Sequence, residues 1–237
     1  MLRLDKLLSS AGVASRTDST RAAARGEITV NGSAVRRSDL HIDPERDTVV
    51  FRGEEVRWRE FTFLLLNKPQ GFVCSTDDPR EKTVTELLPE RLQRLGLFPC
   101  GRLDKDTTGL VILTNDGQLT HRMLSPRHHV AKVYRYECAD PLPEAAAETM
   151  RRGMTLADGT VTKEAVVSPE TPTTGTITLT EGKYHEIKRM FGAVGNKITA
   201  LERVAFAGIE LDRSLARGGW RYLTDEEEKL LRTCAQR

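Results

Sequence analysis

Apolar and polar positions in the first part of the chain repeat with the spacing of short helices. Apolar residues recur three and four positions apart over residues 4–11, and Gly12 supplies a left-handed residue that ends the predicted helix. A second helix is predicted over residues 18–25, with Thr17 as its cap and Gly26 as its stop. The chain therefore opens with two short helices joined by a turn.

The pattern changes to a period of two directly after the second helix. Apolar residues alternate over residues 28–35 on both sides of Asn31-Gly32, the dipeptide best suited to a type I′ turn, which predicts a β-hairpin. A last strand of this segment is predicted over residues 47–51. The polar residues 52–60 that follow are predicted to be a linker.

From residue 61 onward, strand-like apolar runs alternate with helix-like repeats. Strands are predicted at residues 61–66, 109–114, 132–138, 176–180 and 198–206, and helices at residues 83–95, 118–124, 144–152, 184–194 and 225–234, the last with Thr224 as its cap. The simplest arrangement of such a series is an α+β fold, with a mixed, mainly antiparallel sheet flanked by helices. We therefore predict two domains, residues 1–58 and residues 59–237.

Composition excludes several classes of protein. No apolar run approaches the roughly 18 residues needed to cross a bilayer, and charges at Arg3, Asp5 and Lys6 stand where a signal peptide needs its apolar core. We therefore expect a cytoplasmic protein. The four cysteines lie far apart, without CxxC or Cys/His spacing, so reduced thiols are expected rather than a disulfide framework or a metal site.

Charge is distributed unevenly between the two predicted domains. The chain carries a net charge of +2, but residues 1–37 hold seven Arg and Lys against three Asp and Glu, and the rest of the chain is slightly negative. A small basic module attached to a near-neutral body is typical of proteins that grip a phosphate backbone with one part and perform chemistry with another. The alternative is an ordinary solvated face.

Residues 101–117, GRLDKDTTGLVILTNDG, carry the strongest sign of chemistry. A polar loop here leads into a predicted strand, and Asp104 and Asp106 stand at the strand entrance beside Arg102 and Lys105. Nearby positive charge keeps a carboxylate ionised, as a carboxylate nucleophile or base requires. Paired acids also suggest a divalent metal site, but no third ligand follows at a matching spacing, and the cations would compete for the same oxygens.

The order of elements over roughly residues 1–50, with RLDKLL, Ser15-Arg16 and GEITVNG, resembles a small RNA-binding domain first recognised in a small-subunit ribosomal protein. This resemblance implies structured RNA as the partner, but no particular reaction. The phosphate contacts would be basic residues of the first two helices, namely Arg3, Lys6, Arg16, Arg21 and Arg25. The alternative is that residues such as Lys6 and Arg21 only solvate their helices.

The segment GRLDKDTTGL is similar to the signature of the RsuA-type pseudouridine synthases, in which the aspartate of the RLD triplet, here Asp104, is catalytic. Three further blocks extend the resemblance over nearly the whole chain: LNKPQGFVCSTDDP at residues 66–79, SPRHHVAKVYRYE at residues 125–137 and EGKYHEIKRMF at residues 181–191. The family's active-site tyrosine and the basic partner of its aspartate then correspond to Tyr134 and Lys188. Glu186 departs from the pattern, because many relatives carry glutamine there.

The resemblance implies an isomerisation of uridine in RNA that needs no cofactor. The bond from uracil to the ribose anomeric carbon breaks and carbon 5 of the turned base joins that carbon, so nothing is oxidised and no group is transferred. Asp104 would either attack the anomeric carbon or take the neighbouring sugar proton, and the sequence does not choose between the two routes. Lys188 would hold the carboxylate charged. Tyr134 would stack on the uracil and help to remove the carbon 5 proton, unless it is simply a buried strand tyrosine.

The target uridine must leave its helix before its sugar can be reached, at a cost of roughly a few kcal/mol. Arg102, which adjoins Asp104, would fill the vacated space or hold the displaced strand, and a plain phosphate contact is the alternative. His121, His128 and His129 flank the same region and are expected to be structural or phosphate-contacting rather than catalytic.

Residues 72–84 and 125–134 resemble the enzymes that act on small-subunit ribosomal RNA more than those that act on the large subunit. We therefore expect small-subunit (16S) ribosomal RNA as the substrate, free or in a ribosome assembly intermediate, and a monomeric enzyme without metal or cofactor. Large-subunit ribosomal RNA or transfer RNA is the alternative substrate. A non-catalytic RNA-binding assembly factor is the alternative class, and the joint presence of Asp104, Tyr134 and Lys188 argues against it.

Overall fold

The computed structural model describes residues 1–56, 58–125 and 127–236. Arg57 of the predicted linker, Pro126 of the block 125–137 and the terminal Arg237 lie outside the described residues. The chain divides into two compact units, an N-terminal unit of Met1–Thr62 with Leu88–Leu97 and a sheet unit of Phe63–Leu87 with Phe98–Arg237. The segment 88–97 therefore belongs to the N-terminal unit, although it comes from the middle of the chain.

The N-terminal unit combines short helices with short strands. Its elements are β1 (Leu2–Arg3), α1 (Leu4–Ser10), α2 (Arg16–Arg25), β2 (Ile28–Val30), β3 (Ser33–Ala34), β4 (His41–Ile42), β5 (Val49–Phe51), β6 (Glu54–Glu55) and α3 (Glu90–Gln93). Strands β3, β2, β5 and β6 form one sheet in that order, and β1 pairs with β4. One core joins the apolar faces of these elements and contains Leu4, Leu7, Leu8, Ala14, Ala22, Ala23, Ile28, Ile42, Val49 and Phe51.

Both predicted N-terminal helices form, but the second begins earlier than expected. The hydroxyl of Ser15 accepts a hydrogen bond from the Asp18 backbone N–H at 3.1 Å, so α2 starts at Arg16. The prediction of Thr17 as the cap is therefore wrong. Ser15, two positions before Thr17, is an equally good capping residue, and its hydroxyl binds the N–H three residues later, so the helix begins before Thr17. Gly26 ends α2 in the left-handed conformation, as predicted.

The predicted hairpin is present, and the predicted linker contains a strand. Asn31 and Gly32 have φ values of 50° and 78°, the two positive angles that a type I′ turn between β2 and β3 requires. Strand β6 pairs with β5 inside the stretch that the sequence assigned to a linker. Its residues, Glu54 and Glu55, are exposed and charged, so no alternation of apolar residues marked them as a strand.

The sheet unit contains most of the chain's regular structure. Its elements are β7 (Phe63–Lys68), a 3₁₀ turn (Val84–Leu87), β8 (Phe98–Cys100), β9 (Thr108–Thr114), α4 (Gly117–Leu124), β10 (Lys132–Cys138), α5 (Glu144–Arg151), β11 (Val166–Pro169), β12 (Thr174–Leu179), α6 (Glu186–Ala193), β13 (Ile198–Phe206), β14 (Ile209–Glu210), β15 (Trp220–Tyr222) and α7 (Asp225–Cys234). The side chain of Thr224 caps α7 in a capping box with Glu227, which confirms the predicted cap.

One mixed sheet runs through the described part of this unit. Its strands follow the order β11-β12-β10-β13-β9-β7-β15, with β14 added beside β13 and β8 beside β9. Within the described residues, β9 and β13 pair in parallel and the other named pairs are antiparallel. The structure thus confirms the predicted α+β class with a mainly antiparallel sheet and flanking helices.

The predicted helix over residues 83–95 is the largest departure from the sequence analysis. Pro89 separates a 3₁₀ turn in the sheet unit from the single-turn helix α3 in the N-terminal unit. Proline disfavours helical backbone at the residue before it, so the apolar repeat on both sides cannot form one continuous helix. The short strands β8, β11, β14 and β15 were also not predicted, because runs of two to four residues carry too little alternation.

The centre of the sheet is buried on both faces. Every residue of β7 is buried, and so are six of the seven residues of β9. Among the described helices, none combines the length and apolar character needed to cross a membrane. Two long cationic side chains, Lys68 and Arg203, are fully buried at the end of the sheet where the chain enters β9.

Candidate active site

Asp104 lies on the loop that joins β8 to β9. The loop turns where the Thr107 N–H donates to the Asp104 carbonyl at 3.1 Å. The ammonium of Lys68, the last residue of β7, donates to the carbonyls of Thr107 at 2.7 Å, Asp104 at 3.0 Å and Lys105 at 3.2 Å. The backbone that carries Asp104 is therefore held by a charged donor from the neighbouring strand.

In this position Lys68 is fully buried, so its ammonium has lost its contacts with water. Burial lowers the pKa of its ammonium, while the negative charges of Asp106 and Asp104 oppose that effect. A fourth carbonyl, that of Pro69, accepts at 3.2 Å, so the buried charge is surrounded by backbone oxygens. Sequence reasoning gave Lys68 no role; the available signal was a lysine that directly ends a fully apolar strand run.

The ammonium of Lys188, on α6, bridges two carboxylates of this loop. Its Nζ lies 2.8 Å from Asp104 Oδ2 and 2.5 Å from Asp106 Oδ1. Burial lowers the pKa of Lys188, but the two carboxylates outweigh it and raise the pKa above its ordinary value. Burial raises the pKa of Asp106, but the hydrogen bond and charge of Lys188 exceed that effect, and the pKa is lowered. The structure thus brings together residues 104 and 188, as the sequence analysis expected.

An open cleft of about 600 Å³ leads to this charged group, a volume within the range of small-molecule sites. It is lined by Gln70, Gly71, Asp104, Lys105, Asp106, His185 and Lys188. The backbone of the block 66–79 forms one wall, because the Gly71 N–H donates to the Lys105 carbonyl at 2.9 Å. The side chain of Asp104 is 28% exposed and that of Lys188 is 24% exposed, so both remain accessible from the cleft.

Tyr134 lies deeper than the other two candidate catalytic residues. It stands on β10 opposite Ile177 and Arg203 on the adjacent strands, is buried, and is absent from the residues that line the cleft among those described. Burial raises the pKa of its phenol, the positive charge of Arg203 opposes this, and the charge of Asp104 adds to it. The phenol is therefore close enough to sense Asp104 electrostatically, and it stays protonated at neutral pH.

Arg203 is a buried cation that the sequence analysis missed. It is 1% exposed, its Nε donates to the Leu110 carbonyl at 2.8 Å, and its guanidinium lies 5.1 Å from the centre of the Phe206 ring. Its buried Nη2 has no hydrogen-bond partner within the described residues. The available signal was a single arginine at an inward-facing position of the predicted strand 198–206.

His185 is a third residue, after Lys68 and Arg203, whose place in the site was not predicted from the sequence. Its Nε2 lies 3.5 Å from Asp104 Oδ1, and its ring lines the cleft. The three histidines that the analysis did consider, His121, His128 and His129, are not among the cleft-lining residues of the described chain. The only signal for His185 was its place in the block 181–191, three residues before Lys188.

The predicted RNA contacts are exposed, but some already have ionic partners. Arg102 is exposed on the loop of Asp104 and forms no hydrogen bond or ion pair with another described residue. Lys6, Arg16 and Arg21 are likewise exposed and unpaired within the described part of the N-terminal unit. In contrast, Arg3 pairs with Asp5 at 2.6 Å and Arg25 pairs with Glu27 at 3.7 Å.

Glu186, the position that departs from the family pattern, is a buried carboxyl group. It is 4% exposed; its Oε2 accepts from the Lys183 N–H at 2.8 Å, and its Oε1 has no partner within the described residues. Burial raises the pKa of Glu186 to about 7, and the nearby Glu181 carboxylate contributes in the same direction. A proton on this carboxyl would supply the donor that glutamine supplies with its amide.

The paired acids of the loop are arranged around a cation. The ammonium of Lys188 lies between the carboxylates of Asp104 and Asp106 and contacts both. Within the described residues, no group of three or more His, Cys, Asp and Glu side chains is placed to hold a metal ion. The chemistry of the cleft is therefore that of a lysine-paired carboxylate.

Comparison with known proteins places the whole chain among enzymes of one kind. A family model described as RNA pseudouridylate synthase matches residues 62–193, and a model of the S4 domain matches residues 2–47. The chain is 41% identical to "Uncharacterized RNA pseudouridine synthase YtzG" of Bacillus subtilis, over 97% of this chain and 98% of that protein. It is 42% identical to "Ribosomal small subunit pseudouridine synthase A" of Escherichia coli, over 95% of this chain and 98% of that protein.

A solved structure gives the same result for the fold. The coordinates described as "Crystal structure of pseudouridylate synthase" match this chain with a TM-score of 0.69 and 38% sequence identity. The match covers 98% of this chain and all of the other chain. The similarity therefore extends over both units.

Proposed function

This chain belongs to the RNA pseudouridylate synthase family and is an RNA pseudouridine synthase, and from that premise we propose that it modifies one specific uridine of small-subunit (16S) ribosomal RNA. The observation that carries the choice of substrate is the 42% identity, over nearly the full length of both chains, to a protein named for the small ribosomal subunit. The S4 domain supports structured RNA as the partner.

We propose Asp104 as the catalytic carboxylate. In the reaction the bond between uracil and the anomeric carbon of the ribose breaks, and a carbon–carbon bond from carbon 5 to the same sugar carbon replaces it. The proton on carbon 5 is lost and one is returned to the ring nitrogen, so atoms and electrons balance without a cofactor. The Asp104 carboxylate lines the cleft, and either nucleophilic attack on the sugar or removal of the sugar proton is open to it.

Lys188 positions that carboxylate in this proposal. Its charged hydrogen bond of 2.8 Å orients Asp104 and favours the ionised form that either route requires. Tyr134 is proposed to act from behind the cleft, because it is buried and does not line the cleft among the described residues, so this geometry does not support direct stacking of its ring on the uracil. Because burial raises the pKa of its phenol, the phenolate is rare at neutral pH, which disfavours Tyr134 as the base that removes the carbon 5 proton.

The residues proposed to contact RNA are exposed basic side chains that form no ion pair within the described part of the chain. Lys6, Arg16 and Arg21 are exposed and form no ion pair with a described residue, so they are available to phosphates. Arg102 is similarly available beside the cleft and is proposed to contact the strand from which the uridine is removed.

The test is to incubate the purified protein with protein-free small-subunit RNA, large-subunit RNA and transfer RNA, and to map pseudouridine chemically. We expect a single new pseudouridine in small-subunit RNA, and none with Asp104→Asn. Modification confined to large-subunit or transfer RNA would overturn the substrate assignment. Equal maps for wild type and Asp104→Asn would overturn the role of Asp104. Repeating the assay with small-subunit assembly intermediates shows which form of the RNA is preferred.

A further inference from the structure

Two aromatic rings stack beside the cleft. The rings of Tyr184 and His185 have centroids 3.9 Å apart and planes inclined by 16°. Tyr184 is 77% exposed, and its hydroxyl forms no hydrogen bond with another described residue. This ring is therefore held on the protein by His185 while most of its surface stays in contact with water.

The backbone directs His185 toward the cleft in an unfavourable conformation. Its φ of 49° and ψ of 35° lie in the left-handed region, which residues with a Cβ atom rarely adopt. Strain of this kind is concentrated at functional sites, where the surrounding structure maintains it. The result is that one face of the stacked pair belongs to the wall of the cleft, with Nε2 of His185 3.5 Å from Asp104 Oδ1.

A uridine that reaches Asp104 has left its base stack, and the base next to it has lost a stacking partner. An exposed aromatic ring can replace that partner, because every base has a flat face and stacking does not depend on its identity. The target uracil itself must lie inside the cleft, and Tyr184 is not among the described residues that line it. We propose that Tyr184 and His185 form a stacking platform for the nucleobase adjacent to the target uridine.

This inference rests on the RNA pseudouridine synthase activity but not on the choice between ribosomal and transfer RNA. The RNA used in the test is therefore whichever molecule the wild-type protein modifies. An error in the small-subunit assignment shows in the wild-type protein alone, which then modifies a different RNA. An error in the proposed platform shows only when variants of Tyr184 and His185 are compared with wild type on that RNA.

The first experiment separates KM from kcat on that RNA. Loss of one base–aromatic stack weakens binding by about 10- to 100-fold, so we expect Tyr184→Ala to raise KM by that factor and to change kcat by less than about twofold. Tyr184→Phe keeps the ring and should stay within about twofold of wild type. The matched control is Tyr222→Ala, which removes a second exposed tyrosine of the sheet unit and should leave KM unchanged. His185→Asn, which tolerates the left-handed backbone but lacks the second ring, should raise KM as Tyr184→Ala does.

The second experiment locates the base directly. An RNA with 5-iodouridine next to the target position is irradiated in complex with the full-length protein, and the cross-linked peptide is identified by mass spectrometry. We expect the cross-link at Tyr184 or His185. Cross-links at other residues only, or a KM for Tyr184→Ala equal to that for Tyr222→Ala, would overturn the proposal.

Discussion

Two buried ionisable side chains of the sheet unit, Lys68 and Glu186, differ in how the protein compensates for their lost hydration. Lys68 donates to four backbone carbonyls, so its charge is compensated inside the protein. Glu186 receives one N–H on one oxygen and nothing from the described residues on the other, so its carboxyl keeps a proton to a pKa of about 7. The first arrangement fixes the loop of Asp104, and the second makes stability depend on pH.

Replacing Lys68 with methionine should therefore destabilise the protein by about 3 kcal/mol, because it leaves buried carbonyls without donors. The loop of Asp104 should also loosen, and kcat should fall. Urea denaturation and steady-state kinetics measure the two effects. The control is Lys105→Met on the same loop, whose exposed ion pair with Glu81 contributes less than about 1 kcal/mol. Equal stability losses for the two variants would contradict the proposed clamp.

Glu186→Gln should remove a pH-dependent loss of stability. The pKa of about 7 in the folded state exceeds the ordinary glutamate pKa of 4.5. Between these two pH values the folded state therefore keeps a proton that the unfolded state has released. Stability due to this group therefore falls as pH rises from about 4.5 to about 7. At pH 8 the glutamine variant should be more stable than wild type by up to about 3 kcal/mol, and near pH 4 the difference should vanish.

Urea denaturation of both proteins at several pH values measures that difference. Glu164→Gln, at an exposed glutamate, serves as the control and should track wild type throughout. A constant difference between Glu186→Gln and wild type across the pH range would show that Glu186 is not protonated in the folded state.

At the scale of elements, the parallel pairing of β9 with β13 brings Arg203 against the start of β9, the strand that follows the loop of Asp104. Glu202 and Arg203 pair with Thr108 and Gly109 at this point. Gly109 has a φ of 99°, and a Cβ atom there would lie 2.3 Å from the Arg203 carbonyl oxygen. Only glycine therefore permits the two strands to approach so closely.

Gly109→Ala should accordingly cost about 3 kcal/mol or more, because the clash adds to the strain of a positive φ. Gly208→Ala is the matched control, since Gly208 has a φ of 81° but no atom within 4 Å of its virtual Cβ. Its cost should be limited to about 1–2 kcal/mol of backbone strain. The free energies of unfolding of Gly109→Ala and Gly208→Ala, measured in urea, should differ by the energy of the clash at residue 109. Equal stability losses in the two variants would contradict close packing of β9 on β13.

At the scale of the whole molecule, most of the residues proposed to contact RNA lie in an N-terminal unit that is not one continuous stretch of sequence. Residues 88–97 belong to it, and a Cβ atom on Gly12 would lie 2.8 Å from the Arg91 carbonyl oxygen. Deleting residues 1–55 would remove packing partners of this segment and expose Leu92, which is 2% exposed. Point variants are therefore a cleaner test of RNA binding than truncation.

Replacing Lys6, Arg16 and Arg21 together with glutamine should weaken RNA binding and reduce its salt dependence. Each lost phosphate contact lowers the slope of log Kd against log salt by about 0.7–0.9, so the slope should fall by about 2–3. The value of kcat at saturating RNA should not change. The control removes three arginines that already have acidic partners in the same unit, Arg37, Arg46 and Arg94, with the same loss of net charge. A slope that falls equally in both triple variants would contradict specific phosphate contacts.

Several local elements were determined by the sequence itself, namely those with long apolar periods or clear caps and turns. The spans 132–138, 198–206 and 225–234 were predicted with the bounds that the structure has, and Thr224 and Asn31-Gly32 act as a cap and a turn. These features depend on the period of apolar residues and on hydrogen bonds between near neighbours in the chain. The motif around Asp104, together with the block around Lys188, was also sufficient to anticipate that residues 104 and 188 meet.

Only the tertiary structure decided which other residues surround that pair. Lys68, Arg203 and His185 acquire their positions from partners far away in the chain, and burial of Tyr134 depends on the strands on both sides of β10. The assignment of residues 88–97 to the N-terminal unit likewise has no local signal. A hydrogen bond between distant residues, or the burial of a charge, depends on how elements pack together, and a local pattern of apolar positions does not contain that information.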